Sequence, residues 1–283
     1  MDNSQRLYGH CELADLGVLA VRGRDAVAFL QGQLSQDVTR LAVGTAAFAG
    51  CHTPQGRVIA VVRLLPAAEG IDCILPQELI EPLAAHLRKY VLRAKLTLTD
   101  GRGALRVLGI VQGGMRTLRA VAAGDAAAGS GAAIAREAWR ALDIAAGMPQ
   151  VYRATSGRFI AQMLNLDCVA GIAFDKGCYT GQEIIARAHY RGRVKRRMQR
   201  FRSLAPPRAP LGPGASGVLA DGRPFEVVDA VTLADGRVEF LAVASLTGEP
   251  LAGEPAAGAS AATSRREAAI EVESLPLPYA LPD

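Results

Sequence analysis

The sequence is short of aromatic residues, at 5%, and holds a single tryptophan, Trp139. It lacks an apolar run near the roughly 20 residues that a membrane-spanning helix needs. The best candidate, starting at Val58–Val62, is interrupted by Arg63. Residues Met1–Cys11 are polar and carry no hydrophobic signal-peptide core, so a cytoplasmic protein without membrane association is expected. The cysteines are few, odd in number and scattered: Cys11, Cys51, Cys73, Cys168 and Cys178, with no C-x-x-C pair. Such a set makes a poor disulfide framework and a poor structural zinc site. Most are expected to be small buried hydrophobes. A phosphate-binding Walker loop, a Ser-His-Asp order and a metalloprotease motif are also missing, which excludes the commonest nucleotide and hydrolase chemistries.

What remains is a chain of 283 residues, half of them hydrophobic and 21% charged, proportions that belong to a folded protein of two domains. The net charge of +5 is concentrated locally. Arg187, Arg191, Arg193, Lys195, Arg196, Arg197, Arg200 and Arg202 fall within one short run. Such a run attracts phosphates or an anionic ligand. It also suits a solvated edge strand guarded by cations against pairing. Its own aromatic residues, Tyr190 and Phe201, are thin for stacking on single-stranded RNA.

The pattern mixes strands and helices without strict βαβ order, which points to an α+β fold. A strand or amphipathic turn is expected over 12–21. Apolar residues at helical spacing mark 25–34, with Ala26, Phe29, Leu30 and Leu34 on one side. Pro54-Gln55-Gly56 reads as a turn before a strand over Val58–Leu65. A strand over Asp72–Leu75 precedes a helix over Pro76–Tyr90, and strands follow at Lys95–Leu98 and Leu105–Val111. Ala122–Ala133 is low in complexity. A helix around Trp139 ends at Gly147-Met148-Pro149. Pro206, Pro207, Pro210 and Pro213 form a linker, and Asp221-Gly222 and Asp235-Gly236 mark turns between β-type runs. Residues 1–205 and 206–283 are therefore taken as two domains, the second a small β-barrel or sandwich, with a loose loop over Gly248–Ser264.

The chemistry concentrates in Phe174–Arg197. Thr180-Gly181-Gln182-Glu183 has the T-x-x-E capping-box pattern, with Thr180 as N-cap of a short helix. Glu183 and Arg187 stand four apart in the favourable acid-first order. Cys178 then lies just ahead of a helix N-terminus, whose partial positive charge favours a thiolate. On an extended segment Lys176 shares a face with Cys178, and its ammonium favours the thiolate further. Gly177 and Gly181 let the backbone approach a ligand closely. Cys178 is thus a candidate nucleophile, redox thiol or soft-metal ligand, beside the plainer reading of a cysteine buried in a tight turn. Cys168 and Cys73 read as core. Cys51-His52 is a weak metal pair, and His189 reads as a surface or packing histidine.

The run Lys176-Gly177-Cys178-Tyr179-Thr180-Gly181-Gln182-Glu183 matches the K-G-C-[FY]-x-G-Q-E signature of the YgfZ-like folate-binding proteins, a family related to the aminomethyltransferase (T-protein) of the glycine cleavage system. Phe29-Leu30-Gln31-Gly32-Gln33-Leu34 with Asp37-Val38, Pro54-Gln55-Gly56-Arg57-Val58, and Gln162–Asp167 resemble further family segments, so the likeness covers most of the chain. It implies two ferredoxin-like halves around a folate site, plus a C-terminal β-barrel. It implies tetrahydrofolate as cofactor and a role in assembling or repairing iron–sulfur clusters in client enzymes, tRNA-modifying ones among them. Nucleic acid would be reached through such clients rather than directly. Cys178 and Lys176 would carry the chemistry. Gly177, Tyr179, Gly181, Gln182, Glu183, Arg187 and Arg191 would contact folate, the arginines, with Arg193, receiving its glutamate tail. No metal ligand set is implied. Two departures stand out. The T-protein's acid for folate chemistry falls on Ala60 and Val61, which neither accept a proton nor polarise an amine. The carboxylate that holds the pterin edge falls on Ala145, with Asp143 two residues away. A one-carbon transferase is therefore the second reading, and an RNA-binding module the third.

Overall fold

The computed structural model describes residues 9–125, 131–192, 194–246 and 270–282. The chain opens with β1 (Gly9–Glu12), β2 (Leu16–Arg22) and the short helix α1 (Ala26–Gln31). A meander follows: β3 (Ala47–His52), β4 (Val58–Ala67) and β5 (Gly70–Pro76). Helix α2 (Gln77–Val91) leads to β6 (Thr97–Asp100), the hairpin β7 (Leu105–Gln112) and β8 (Met115–Ala122), the short β9 (Ala132–Ala133), and α3 (Arg136–Ala145). A long irregular stretch holds one 3-10 turn (Ala161–Leu164) and ends in α4 (Gln182–Tyr190). Then come β10 (Arg196–Ser203), β11 (Ser216–Val218), β12 (Pro224–Thr232), β13 (Val238–Ser245) and β14 (Val272–Leu275).

The described strands form three sheets, ordered β3-β4-β5-β2-β6, β8-β7-β1-β9 and β11-β12-β13-β10-β14. The mixed α+β class is as expected. Helix α2 buries Leu79, Ile80, Leu83 and Leu87, the stripe its spacing dictates. Pro82 lies inside it and has no N–H for the Glu78 carbonyl four residues back. Arg153 supplies the missing donor to that carbonyl at 3.1 Å, so the helix continues through the proline. Turns at Gly222 and Gly236 take the left-handed backbone (φ 83° and 81°) that their Asp-Gly pairs anticipate.

One core joins the first sheet to α2, the 3-10 turn and α4, and reaches Met198, Val228, Leu241 and Val243 on the inner face of the C-terminal sheet. The outer face of that sheet has its own core, built on Phe201, Phe225 and Phe240. Every residue of β13 is buried, because both its faces are covered.

The C-terminal strands make one five-stranded sheet that includes β10, so it starts at Arg196, ahead of the proline stretch; among the described residues its two ends are joined by one bridge, Leu219 to Ile270, and not by a full closing ladder. The basic run is also no edge strand: its first part ends α4, and β10 lies between β13 and β14. The cations of β10 are tied down there, Arg197 to Asp167 at 2.9 Å and Arg200 to Glu239 at 2.6 Å. The loop expected over Gly248–Ser264 lies outside the described residues, as does Arg193.

Candidate functional site

Three segments that stand far apart in sequence converge around the cysteine motif. Ser35 is the junction. Its hydroxyl donates to the Gly171 carbonyl at 2.6 Å and accepts from the Gly50 N–H at 2.8 Å. Its own N–H donates to the Gly50 carbonyl at 3.0 Å, and its carbonyl accepts from the Ala173 N–H at 2.9 Å. Gln36 Nε2 adds bonds to the carbonyls of Ala170 at 2.6 Å and Phe48 at 3.2 Å. The loop after α1, the strand β3 and the approach to the motif are thereby fixed to one another.

Lys176 completes the junction. Its buried ammonium donates to the carbonyls of Gln31, Leu34 and Gln36 at 2.8, 2.7 and 2.7 Å. Those three bonds use all the protons an ammonium has. The Tyr179 ring lies 5.0 Å from Nζ. Burial pushes the Lys176 ammonium down to about 8, against the opposing pull of the Asp37 carboxylate. The segment bends at Lys176 rather than running extended, so Lys176 and Tyr179 turn inward while Gly177 and Cys178 face solvent. The expected shared face of Lys176 and Cys178 is therefore not formed. The lysine holds the loop from within, and the cysteine stands at its exposed tip.

The capping box is not formed either. The N-cap of α4 is Gly181, in the left-handed conformation at φ 83°, with no side-chain cap, and the helix starts at Gln182. A Cβ at Gly181 would meet the Thr53 carbonyl oxygen at 2.6 Å and His52 at 3.0 Å. One at Gly56 would meet Ile184 at 3.0 Å. The two glycines let α4 sit directly on the β3–β4 turn, and that close approach, not a ligand, occupies the space. The Gln182 side chain folds back to the Tyr179 N–H at 3.4 Å. Glu183, Arg187 and Arg191 lie exposed along the helix, and no ion pair joins Glu183 to Arg187.

All five cysteines are free thiols, and Cys178 is the exposed one. Cys11, Cys51 and Cys73 are buried, as expected, and desolvation raises all three, Cys51 to about 12. Cys168 is half-buried beside the Asp167–Arg197 pair and is pushed up to about 11, by burial first and the neighbouring carboxylate second. No group of three or more metal-ligating side chains is found among the described residues. His52, read in the sequence only as half of a weak Cys51-His52 metal pair, lies fully buried beneath the motif with neither ring nitrogen bonded. Its ring is 6.2 Å from that of Tyr179, and burial holds it down to about 3.

A cavity of about 330 Å³ opens elsewhere, between α3, β4, β12 and the β1–β2 connection. Trp139 lines it, and its buried indole N–H has no partner. Asp143 also lines it, its two oxygens held by Arg63 at 3.1 Å and by Arg116. Across the cavity Arg140 Nε binds Asp229 at 2.8 Å, and the Tyr152 hydroxyl lies 3.3 Å from both oxygens of that carboxylate. Burial raises Asp229 to about 6, with Arg140 opposing. Asp15, Arg136 and Glu137 stand at the exposed rim. None of the nine motif residues singled out in the sequence lines this cavity. A shallower depression of about 470 Å³ at Arg88, Val91, Leu92, Leu96 and Leu98 offers a ligand a single polar side chain.

No protein-family model matches the chain. The tRNA-modifying protein YgfZ of Escherichia coli O157:H7 (strain EC4115 / EHEC) is 30% identical, over 84% of this chain and 86% of that protein. This chain belongs to the YgfZ family. The YgfZ of Escherichia coli K12 is 29% identical over the same shares. Among solved structures, glycine cleavage system aminomethyltransferase T from Bartonella henselae is similar at a TM-score of 0.64 and 13% identity, covering 86% of this chain and 80% of that one. The T-protein fold is thus shared. Against the YgfZ signature, the sequence marked Cys178, which the structure places at an exposed tip. It did not reveal the junction formed by Ser35 and Gln36, which sit in the polar run Gln31–Asp37 and meet the carbonyls of Gly171 and Ala170 only through the fold.

Proposed function

We propose that this chain is a tetrahydrofolate-binding accessory factor that supports iron–sulfur proteins, tRNA-modifying enzymes among them, and that its working group is the Cys178 thiol. The observation behind this is the exposure of Cys178, which stands out of a loop anchored by Lys176 on one side and Tyr179 on the other. A thiol held in this way is presented to a second macromolecule without a loop having to order first. The name of the Escherichia coli relatives, tRNA-modifying protein, supports the same reading.

The cavity fits folate by its chemistry. Its volume lies in the range of about 300–1,000 Å³ usual for small-molecule sites. The Trp139 side chain on the cavity wall suits packing against a pteridine, and Arg136 at the rim suits the glutamate carboxylates. Tetrahydrofolate, when bound, supplies a carrier for a one-carbon unit. Trp139 and Gln150 would orient it, and Asp229 with Arg140 and Tyr152 would hold charge along the wall. The acid needed for aminomethyl transfer has no counterpart, because Ala60 and Val61 are buried apolar residues of β4. This favours an accessory role over a transferase.

Trp139 is the only tryptophan and lines the cavity, so it reports on binding. Titration with reduced folate is expected to quench its fluorescence saturably, and Arg136→Glu to weaken the binding about tenfold. Unchanged fluorescence, together with no bound folate after equilibrium dialysis, would contradict the folate part of this reading.

A further inference from the structure

The C-terminal half of α4 carries an aromatic group that the sequence does not reveal. Phe174, fifteen residues before His189 in the chain, stacks on the His189 ring at 3.8 Å with the planes 18° apart. Tyr190 meets both rings edge-on, at 6.0 Å and 4.7 Å. Tyr190 is 68% exposed. Arg187, Tyr190 and Arg191 are spaced three and four apart, so they lie along one side of the helix and its cap. Lys195 follows at the entry to β10, also exposed. No ion pair neutralises Arg187, Arg191 or Lys195 among the described residues, whereas Arg197, Arg200 and Arg202 just beyond are all paired with carboxylates. Phe201, the other aromatic of the basic run, is fully buried in the C-terminal sheet and out of reach.

We infer that this surface binds single-stranded RNA directly, a base stacking on the Tyr190–His189 shelf and flanking phosphates lying against Arg187, Arg191 and Lys195. A membrane surface would use the cations and leave the aromatic stack without a role. An acidic protein segment would do the same. An unpaired base uses both, because every base has a π-face and every nucleotide carries a phosphate. The inference rests on this surface alone and does not require the folate reading.

The test is fluorescence anisotropy of a labelled, unstructured RNA oligonucleotide with the full chain. Three phosphate contacts predict that log K falls with log salt at a slope of about −2. Arg187→Gln should make that slope shallower by about 0.7. Tyr190→Ala should weaken binding about tenfold or more with the slope unchanged. Cys178→Ala should leave affinity unaltered, which separates this surface from the thiol's role. Absence of salt-sensitive binding would overturn the inference. So would full retention of affinity in Tyr190→Ala, since the surface would then be a polyanion or acidic-protein contact without base stacking. Thermal melting of each variant confirms folding, which an exposed Tyr190 and Arg187 should not affect.

Discussion

At the residue scale, Lys176 decides the site's rigidity. A buried ammonium is tolerated only when its donors are matched, and here three carbonyls match them. Lys176→Met keeps much of the stem's packing and leaves all three acceptors unpaired. The expected loss is about 3 kcal/mol or more, read from the urea midpoint. A loss below about 0.5 kcal/mol would mean that the carbonyls find other donors. His52 gives a pH signature. Its folded value, about 3, lies below the ordinary 6.5 because burial disfavours the cation. Above about 6.5 both folded and unfolded chains hold it neutral, and its contribution is fully present. As pH falls from about 6.5 toward 3 the unfolded chain takes up a proton that the folded one refuses, so stability is lost. Urea midpoints between neutral pH and about 4.5 should therefore drop less for His52→Leu than for the parent chain. Equal slopes would contradict this.

At the scale of elements, the start of α4 shows why geometry overrides a local motif. The T-x-x-E pattern asks for a cap at Thr180, but the β3–β4 turn occupies the space beside the chain. Only a left-handed glycine lets the helix begin against it. Gly181→Ala should cost about 2 kcal/mol, from the unfavourable φ and the contact with the Thr53 carbonyl, measurable as a lowered melting temperature. A cost no larger than that of an ordinary surface substitution would show that the turn can move away. Periodicity placed α1, α2, α3 and the strands β2, β4, β5 and β7 well, because each has a face on a core and the pattern records it, whereas β1, β3 and β8 were not read. It misplaced β10, because Arg197, Arg200 and Arg202 look solvent-facing in sequence and gain their paired settings only from distant partners, Asp167 and Glu239. Likewise Lys176 reads as a neighbour of Cys178, and its true partners lie some 140 residues upstream.

At the scale of the whole molecule, the sheets serve two separate places. One is the anchored loop at Cys178, where the loop after α1, the β3–β4 turn and α4 meet. The other is the cavity between α3, β4 and β12. Ion pairs tie the C-terminal sheet to both regions, the buried Arg197–Asp167 near the first and the half-buried Arg140–Asp229 at the second. The YgfZ family's signature accounts for the first place, and the second is a product of tertiary packing. The most direct test is to replace the chain by its Cys178→Ala variant in a cell that lacks it, and to assay an iron–sulfur tRNA-modifying enzyme. The same variant is compared with the parent for melting temperature and folate binding. Lost enzyme activity with both of those unchanged is the expected result; full restoration of activity by the alanine variant would contradict the account.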